Sequence, residues 1–88
     1  MYINPWKIFC QHVIITNMRD ERIKTLGFNV KVERLRQKLT QAKLAELANV
    51  TGDSIQKIEA GNQTPSCLVL YDIAKALNVP LETFYKDI

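Results

Sequence analysis

The stretch that most constrains this chain runs from Gln41 to Gly61, QAKLAELANVTGDSIQKIEAG. Leu44, Ala45 and Ala48 recur at helical spacing and form an apolar stripe, with Leu47 as the one large residue off it. Ile55 and Ile58 give the next short segment a stripe of its own. Between the two, Asn49 accepts the left-handed conformation that ends a helix, Val50 can turn inward, and Thr51 is an N-cap for the second segment. Ala45 is small where two such helices must cross closely. The spacing predicts two short helices locked by a tight turn, the second spanning residues 51–60.

Such a pair is a helix-turn-helix, whose second helix is built to lie in a DNA major groove. Flanking segments supply the rest of the fold. Thr25 to Lys38 reads as a helix with Leu26, Val30, Leu35 and then Leu39 on or near its buried side, and with Gly27 weakening its start. Thr40 caps the next helix, whose first turn is Gln41, Ala42 and Lys43. Gly61 stops the second motif helix, and Asn62 to Pro65 form a polar loop. Ser66 is the N-cap of a helix reaching about Leu77, in which Leu70, Ile73, Ala74 and Leu77 share one face. Asn78 ends it, and Pro80 suits the first position of a fifth helix carrying Leu81, Phe84 and Tyr85. The expectation is an all-α, compact five-helix domain over residues 25–88, preceded by an N-terminal arm over 1–24. Within the arm, Pro5 forbids an early helix interior and the β-branched run from Ile8 to Thr16 favours an extended segment. An isolated strand has to pair with another chain or lie on the domain. Met18 offers a second reading, in which the first 17 residues are an extension.

Composition narrows the function classes. A chain of 88 residues with 47% hydrophobic and 24% charged residues is a single globular domain, neither disordered nor membrane-embedded. No apolar run approaches the ~20 residues that a spanning helix needs. The first stretch has no small-residue cleavage site, so a cytoplasmic protein is expected. Cys10 and Cys67 lack CxxC spacing, which favours two reduced thiols. His12 is the only histidine, so neither a metal site nor a nucleophile–histidine pair is expected. There is no phosphate-binding glycine loop, hence no enzyme, cofactor or small-molecule ligand is expected. The net charge of +3 is unevenly spread: residues 19–38 hold seven basic against three acidic side chains, whereas 39–65 hold two against three. The basic stretch precedes the motif, so a phosphate-facing surface requires that stretch to fold alongside it.

Leu26-Gly27, Arg34, Thr40-Gln41, Leu44-Ala45, Val50, Ile55, Ile58-Glu59, Gly61, Pro65-Ser66, Ala74, Leu77, Val79 and Leu81 stand at a joint spacing that resembles one family. It is the lambda-repressor-like, Cro/C1-type (XRE) helix-turn-helix family, matched from about Leu26 to Tyr85. Lys38 departs from it, because the family often ends the first helix with glycine. The resemblance implies a transcriptional regulator that binds double-stranded DNA, usually as a homodimer on a two-fold operator. It implies a structural ion pair between Arg34 and Glu59, in which Arg34 can also present a donor to phosphate. Gln41, beside the cap Thr40, matches the family's phosphate anchor. The base-contacting positions fall on Gly52, Asp53 and Lys57, with Thr51 and Ser54 nearby. The loop Asn62, Gln63 and Thr64 matches a segment used against the phosphate backbone, though here it has no basic residue. Family dimers commonly use the region that is Val79 to Ile88 here; Trp6, Ile8 and Phe9 in the arm are further candidates.

The side-chain chemistry can be set beside that resemblance. Lys57 can donate to guanine O6 and N7, and Gln56 can pair with adenine. Asp53 can only accept from a cytosine amino group and repels phosphates; alternatively it is a first-turn acid favoured by the helix dipole. A competing reading is a protein-interaction module of the same fold, such as an antitoxin, with the arm as its binding segment. The near-neutral motif supports it modestly, and salt dependence of DNA binding discriminates the two.

Overall fold

The computed structural model describes residues 21–88. In chain order it forms α1 (Glu21–Arg36), α2 (Gln41–Ala48), α3 (Gly52–Glu59), α4 (Cys67–Leu77) and a final 3-10 turn, η1 (Leu81–Tyr85). The described residues contain no strand, so the fold is all-α. The expectations for Ile8–Thr16, Trp6, Phe9, Cys10, His12 and Met18 lie outside the described residues.

Local chemistry sets the boundaries of the middle helices. Thr40, Thr51 and Ser66 are extended N-caps, and their hydroxyls accept from the backbone N–H groups of Lys43, Ser54 and Val69 at 3.0, 3.0 and 3.1 Å. Each bond satisfies one of the donors a helix start leaves without a partner. At the other ends Asn49 (φ 60°) and Asn78 (φ 58°) turn left-handed and stop α2 and α4.

The buried set is led by Val30, Leu44, Ile55, Ile58, Ile73, Leu77 and Phe84. α2 packs against both α3 and α4, and α1 packs against α3 and η1. Two polar side chains secure the ends of this assembly. The Asn29 amide donates to the Phe84 and Lys86 carbonyls, both at 2.9 Å, and the Gln37 amide donates to the Leu77 carbonyl at 2.6 Å. The first tethers η1 to α1, and the second satisfies an end carbonyl of α4.

Three expectations are corrected. α1 already includes Glu21, four residues before Thr25, and ends at Arg36 rather than Lys38. Leu35, expected near the core, is 52% exposed. At about 100° per residue it lies roughly opposite Leu26, while the i+4 rows lead from Leu26 and Val30 to Arg34. The fifth helix is a 3-10 turn: Pro80 makes no side-chain cap, and in it only Phe84 is fully buried, while Tyr85 is exposed.

Lys38 takes φ 58° two residues after the end of α1, the left-handed position at which the resembling family often has glycine. A Cβ there costs about 1–2 kcal/mol, against which glycine loses some 0.5–1 kcal/mol more entropy on folding. Lys38→Gly is therefore expected to raise stability by roughly 0.5 kcal/mol, read as a rise of a few degrees in thermal midpoint.

Candidate nucleic-acid interface

The α2–turn–α3 unit is held by its backbone. Asn49 N–H donates to the Glu46 carbonyl at 3.2 Å, and Val50 N–H donates to the Ala45 carbonyl at 2.9 Å. Val50 packs against the core from the turn. Ala45 and Ala48 on α2, with Ile55 and Ile58 on α3, are buried. With Ile55 and Ile58 turned inward, Gly52, Asp53, Gln56 and Lys57 are left exposed, while Ser54 is half-buried. Thr51 is exposed, although its hydroxyl is engaged in capping α3.

The end of α3 is fixed by a hydrogen-bonded cluster. Arg34 Nε donates to Glu59 Oε2 at 2.7 Å and Arg34 Nη2 to Glu59 Oε1 at 3.0 Å, a two-pronged contact. The third arm, Nη1, donates to the Leu39 carbonyl at 2.6 Å. Glu59 Oε1 also accepts from Gln41 Nε2 at 3.0 Å. Only 8% of the Arg34 side chain and 3% of the Glu59 side chain are exposed. The cluster thus ties α1, the α1–α2 turn, the first residue of α2 and the last residue of α3 together. Arg34 directs one N–H from each of its three guanidinium nitrogens into the protein, and one further N–H remains on each of Nη1 and Nη2.

α1 comes very close to the end of α3. A Cβ on Gly27 would overlap the Ile58 carbonyl oxygen and lie 3.1 Å from that of Glu59. Gly61 (φ 77°) turns the chain away from α3, and a Cβ there would lie 2.9 Å from Lys24 Cγ. The loop Asn62–Thr64 has no basic residue of its own, and Gly61 just before it lies against the stem of Lys24. Asn62 and Thr64 are exposed. Arg22 and Thr64 line one open cleft with Ile23, Leu26, Tyr85 and Ile88.

Charge on the outer face is largely locally paired. Lys57 Nζ lies 3.1 Å from Asp53 Oδ2 within α3, and Lys43 lies 3.6 Å from Glu46 within α2. On α1, Lys24 pairs with Glu21 at 3.6 Å and Arg36 with Glu33 at 3.2 Å. Exposed pairs of this kind contribute little to stability, and they open readily toward a stronger partner. The basic stretch of α1 is therefore not a bare cationic face: Arg34 is internal, and Lys24 and Arg36 have carboxylates nearby. Among the described residues no three histidine, cysteine or carboxylate side chains group as a metal site, and no helix is long and apolar enough to cross a membrane.

Sequence reasoning missed three contributors: Asn29, Gln37 and Lys24. For Asn29 and Gln37 the available signal was the polar spacing of Asn29, Glu33 and Arg34 along α1 with Gln37 just past its end, a pattern that hydrophobic periodicity does not score.

Known proteins agree with this geometry. The family model described as helix-turn-helix matches residues 30–84. A transcriptional regulator in the ATPase CF(0) region of Rhodospirillum rubrum, itself uncharacterized, is 41% identical over 63 residues, covering 72% of this chain and 58% of the relative. An HTH-type transcriptional regulator of Sinorhizobium medicae, also uncharacterized, is 32% identical over 62 residues, covering 70% of this chain and 45% of the relative. The chain thus spans about half the length of the relatives it matches. The crystal structure of the restriction-modification controller protein C.AhdI from Aeromonas hydrophila superposes with a TM-score of 0.72 at 20% identity, covering 74% of this chain and 98% of that one. At that identity the likeness concerns the fold. With the motif built as described and the family model spanning most of its length, this chain belongs to the Cro/C1-type helix-turn-helix family.

Proposed function

We propose that this chain is a sequence-specific, double-stranded DNA-binding transcriptional regulator that acts in the cytoplasm as a homodimer. The observation carrying this reading is the exposed face of α3, presented outward by buried Ile55 and Ile58 and held against α2 by the Gln41–Glu59–Arg34 cluster. The transcriptional regulators it resembles support the same reading. α3 enters the major groove, where Gly52, Asp53, Gln56 and Lys57 approach base edges, flanked by Thr51 and Ser54. Thr40, Gln41, Asn62 and Thr64 approach phosphates on either side. The stem of Lys24 lies against Gly61, just before the loop, and its ammonium group, 3.6 Å from Glu21 in the free protein, is the basic group offered to phosphate on this side. Exposed Tyr85 and Ile88 near the C-terminus supply apolar surface for the second copy.

Gln41 has a specific part in this arrangement. One N–H of its amide is committed to Glu59, which fixes the rotamer, and the second N–H is left for a phosphate oxygen. A contact of this kind is worth about 1–1.5 kcal/mol, or roughly 5- to 10-fold in affinity. Selection of bound sites from random duplex DNA is the test. The wild-type chain is expected to recover a two-fold motif, and Gln41→Ala to weaken all recovered sites by that factor without changing their sequence. Loss of affinity on some sequences only would make Gln41 a base reader instead.

The near-neutral outer face of α3 gives the protein-interaction module its one supporting observation. Salt titration separates the two: DNA recognition through phosphates must weaken steeply as salt rises.

A further inference from the structure

Asp53 and Lys57 stand one helical turn apart on the outer side of α3, with Oδ2 and Nζ 3.1 Å from each other and both side chains more than half exposed. The core uses neither. An aspartate alone on a DNA-facing surface is unfavourable, because phosphates repel it and it has no proton to donate. Beside Lys57 the couple is neutral overall and presents an acceptor and a donor side by side.

That spacing has a counterpart in the major groove. Each base pair exposes an acceptor and a donor that are themselves hydrogen-bonded across the pair, roughly 2.9 Å apart. In G·C they are guanine O6 and the cytosine N4 amine; in A·T they are thymine O4 and the adenine N6 amine. The flanking atoms decide between them. Next to guanine O6 lies N7, a second acceptor for the remaining protons of the ammonium group. Next to thymine O4 lies an apolar methyl group, and next to adenine N6 lies the N7 acceptor, which would face the carboxylate and repel it. Gly52 keeps the approach open: a Cβ there would meet nothing within 4 Å, so internal packing does not demand its missing side chain.

We infer that Asp53 and Lys57 act as one unit reading a single G·C base pair, Lys57 donating to guanine O6 and N7 while Asp53 accepts from the N4 amine of the paired cytosine. The inference rests on the DNA-binding reading above and names a specificity determinant within it. The couple carries no net charge to the groove, so it adds discrimination with little attraction to arbitrary sequence.

Site selection with the wild-type chain, Asp53→Asn, Lys57→Ala and the double variant tests this, with a thermal melt of each variant to verify folding. One G·C position is expected to relax in both single variants, by roughly 10-fold or more in discrimination. The double variant relaxes it no further than either single change, as expected for a coupled pair. Asp53→Asn also raises affinity for arbitrary duplex by freeing Lys57 for phosphates. Relaxation of two different base pairs, or a preference for A·T at the shared one, overturns the inference while leaving DNA recognition intact. So does a uniform tightening by Asp53→Asn with the motif unchanged, which would reduce Asp53 to a repulsive charge. Failure of the wild-type chain to enrich any sequence removes the DNA-binding reading itself and this inference with it.

Discussion

Replacing Glu59 by alanine is expected to lower the unfolding free energy by about 3–5 kcal/mol, the range for breaking a buried ion pair by removing one partner. The damage comes less from the attraction lost than from the charge left behind. Arg34 would keep its charge in a site where 8% of its side chain is exposed, with Nε and Nη2 deprived of acceptors and only the Leu39 carbonyl retained. Gln41 would lose its acceptor too. For a domain of this size a change of that order is on the scale of the whole stability margin. It corresponds to a drop of some 15–30 °C in thermal midpoint. The double variant Arg34→Met, Glu59→Leu is expected to be more stable than either single change, because it contains no unpaired charge. Urea titrations of Glu59→Ala, Arg34→Met, Glu59→Leu and the double variant decide the matter. A Glu59→Ala loss below about 1 kcal/mol would put the pair in the class of exposed bridges, contrary to its burial. The same cluster links stability to recognition, since Glu59 closes α3 and also positions Gln41 at the start of α2.

The motif itself is legible in the sequence because its chemistry is local. Leu44, Ala45, Ala48, Ile55 and Ile58 announce their faces by spacing, and Thr40, Asn49, Thr51, Ser66 and Asn78 announce helix ends through side chains suited to capping or to a left-handed turn. Leu35 misleads for a different reason. A large apolar residue carries no mark of which side of a helix it occupies, and the inward position one step earlier belongs to Arg34, whose burial depends on Glu59 from 25 residues away. The start of α1 reads late because Gly27 looks like a weakness in a helix and gives no sign of the neighbour that requires it. For η1 the obstacle is length: Leu81 and Phe84 fit one turn of either helix type, and the turn is held in place by Asn29, far away in sequence. Among the candidate site residues, exposure can be inferred once Ile55 and Ile58 are assigned inward. The pairing of Asp53 with Lys57 and the tether of Gln41 to Glu59 require coordinates, because spacing alone does not say which carboxylate a long side chain will find.

Gly27→Ala is the substitution with the next largest expected effect, a loss of about 3 kcal/mol. Helix propensity argues the other way, since alanine in a helix interior is favoured over glycine by roughly 1 kcal/mol. Packing outweighs it. The added Cβ would collide with the Ile58 carbonyl oxygen and crowd the Ile58 carbonyl carbon and the Glu59 oxygen, each 3.1 Å away. These are backbone atoms, which cannot rotate aside as the tip of a flexible side chain would. Relief requires α1 and α3 to separate by on the order of an ångström in an interior packed as tightly as a crystal. That shift would loosen the packing of α1 on α3 and would draw Arg34 away from Glu59 on the same two helices. Gly52 marks the contrast: it lies in open space, so its lack of a side chain answers to no neighbour inside the protein. The measurement is the urea midpoint of Gly27→Ala against wild type at equal denaturant slope. A variant as stable as wild type, or more stable by the propensity difference, would mean that α1 and α3 do not approach so closely. The expected loss, together with a smaller effect of Glu59→Ala in the Gly27→Ala background, would show that this close crossing is what brings Arg34 and Glu59 together.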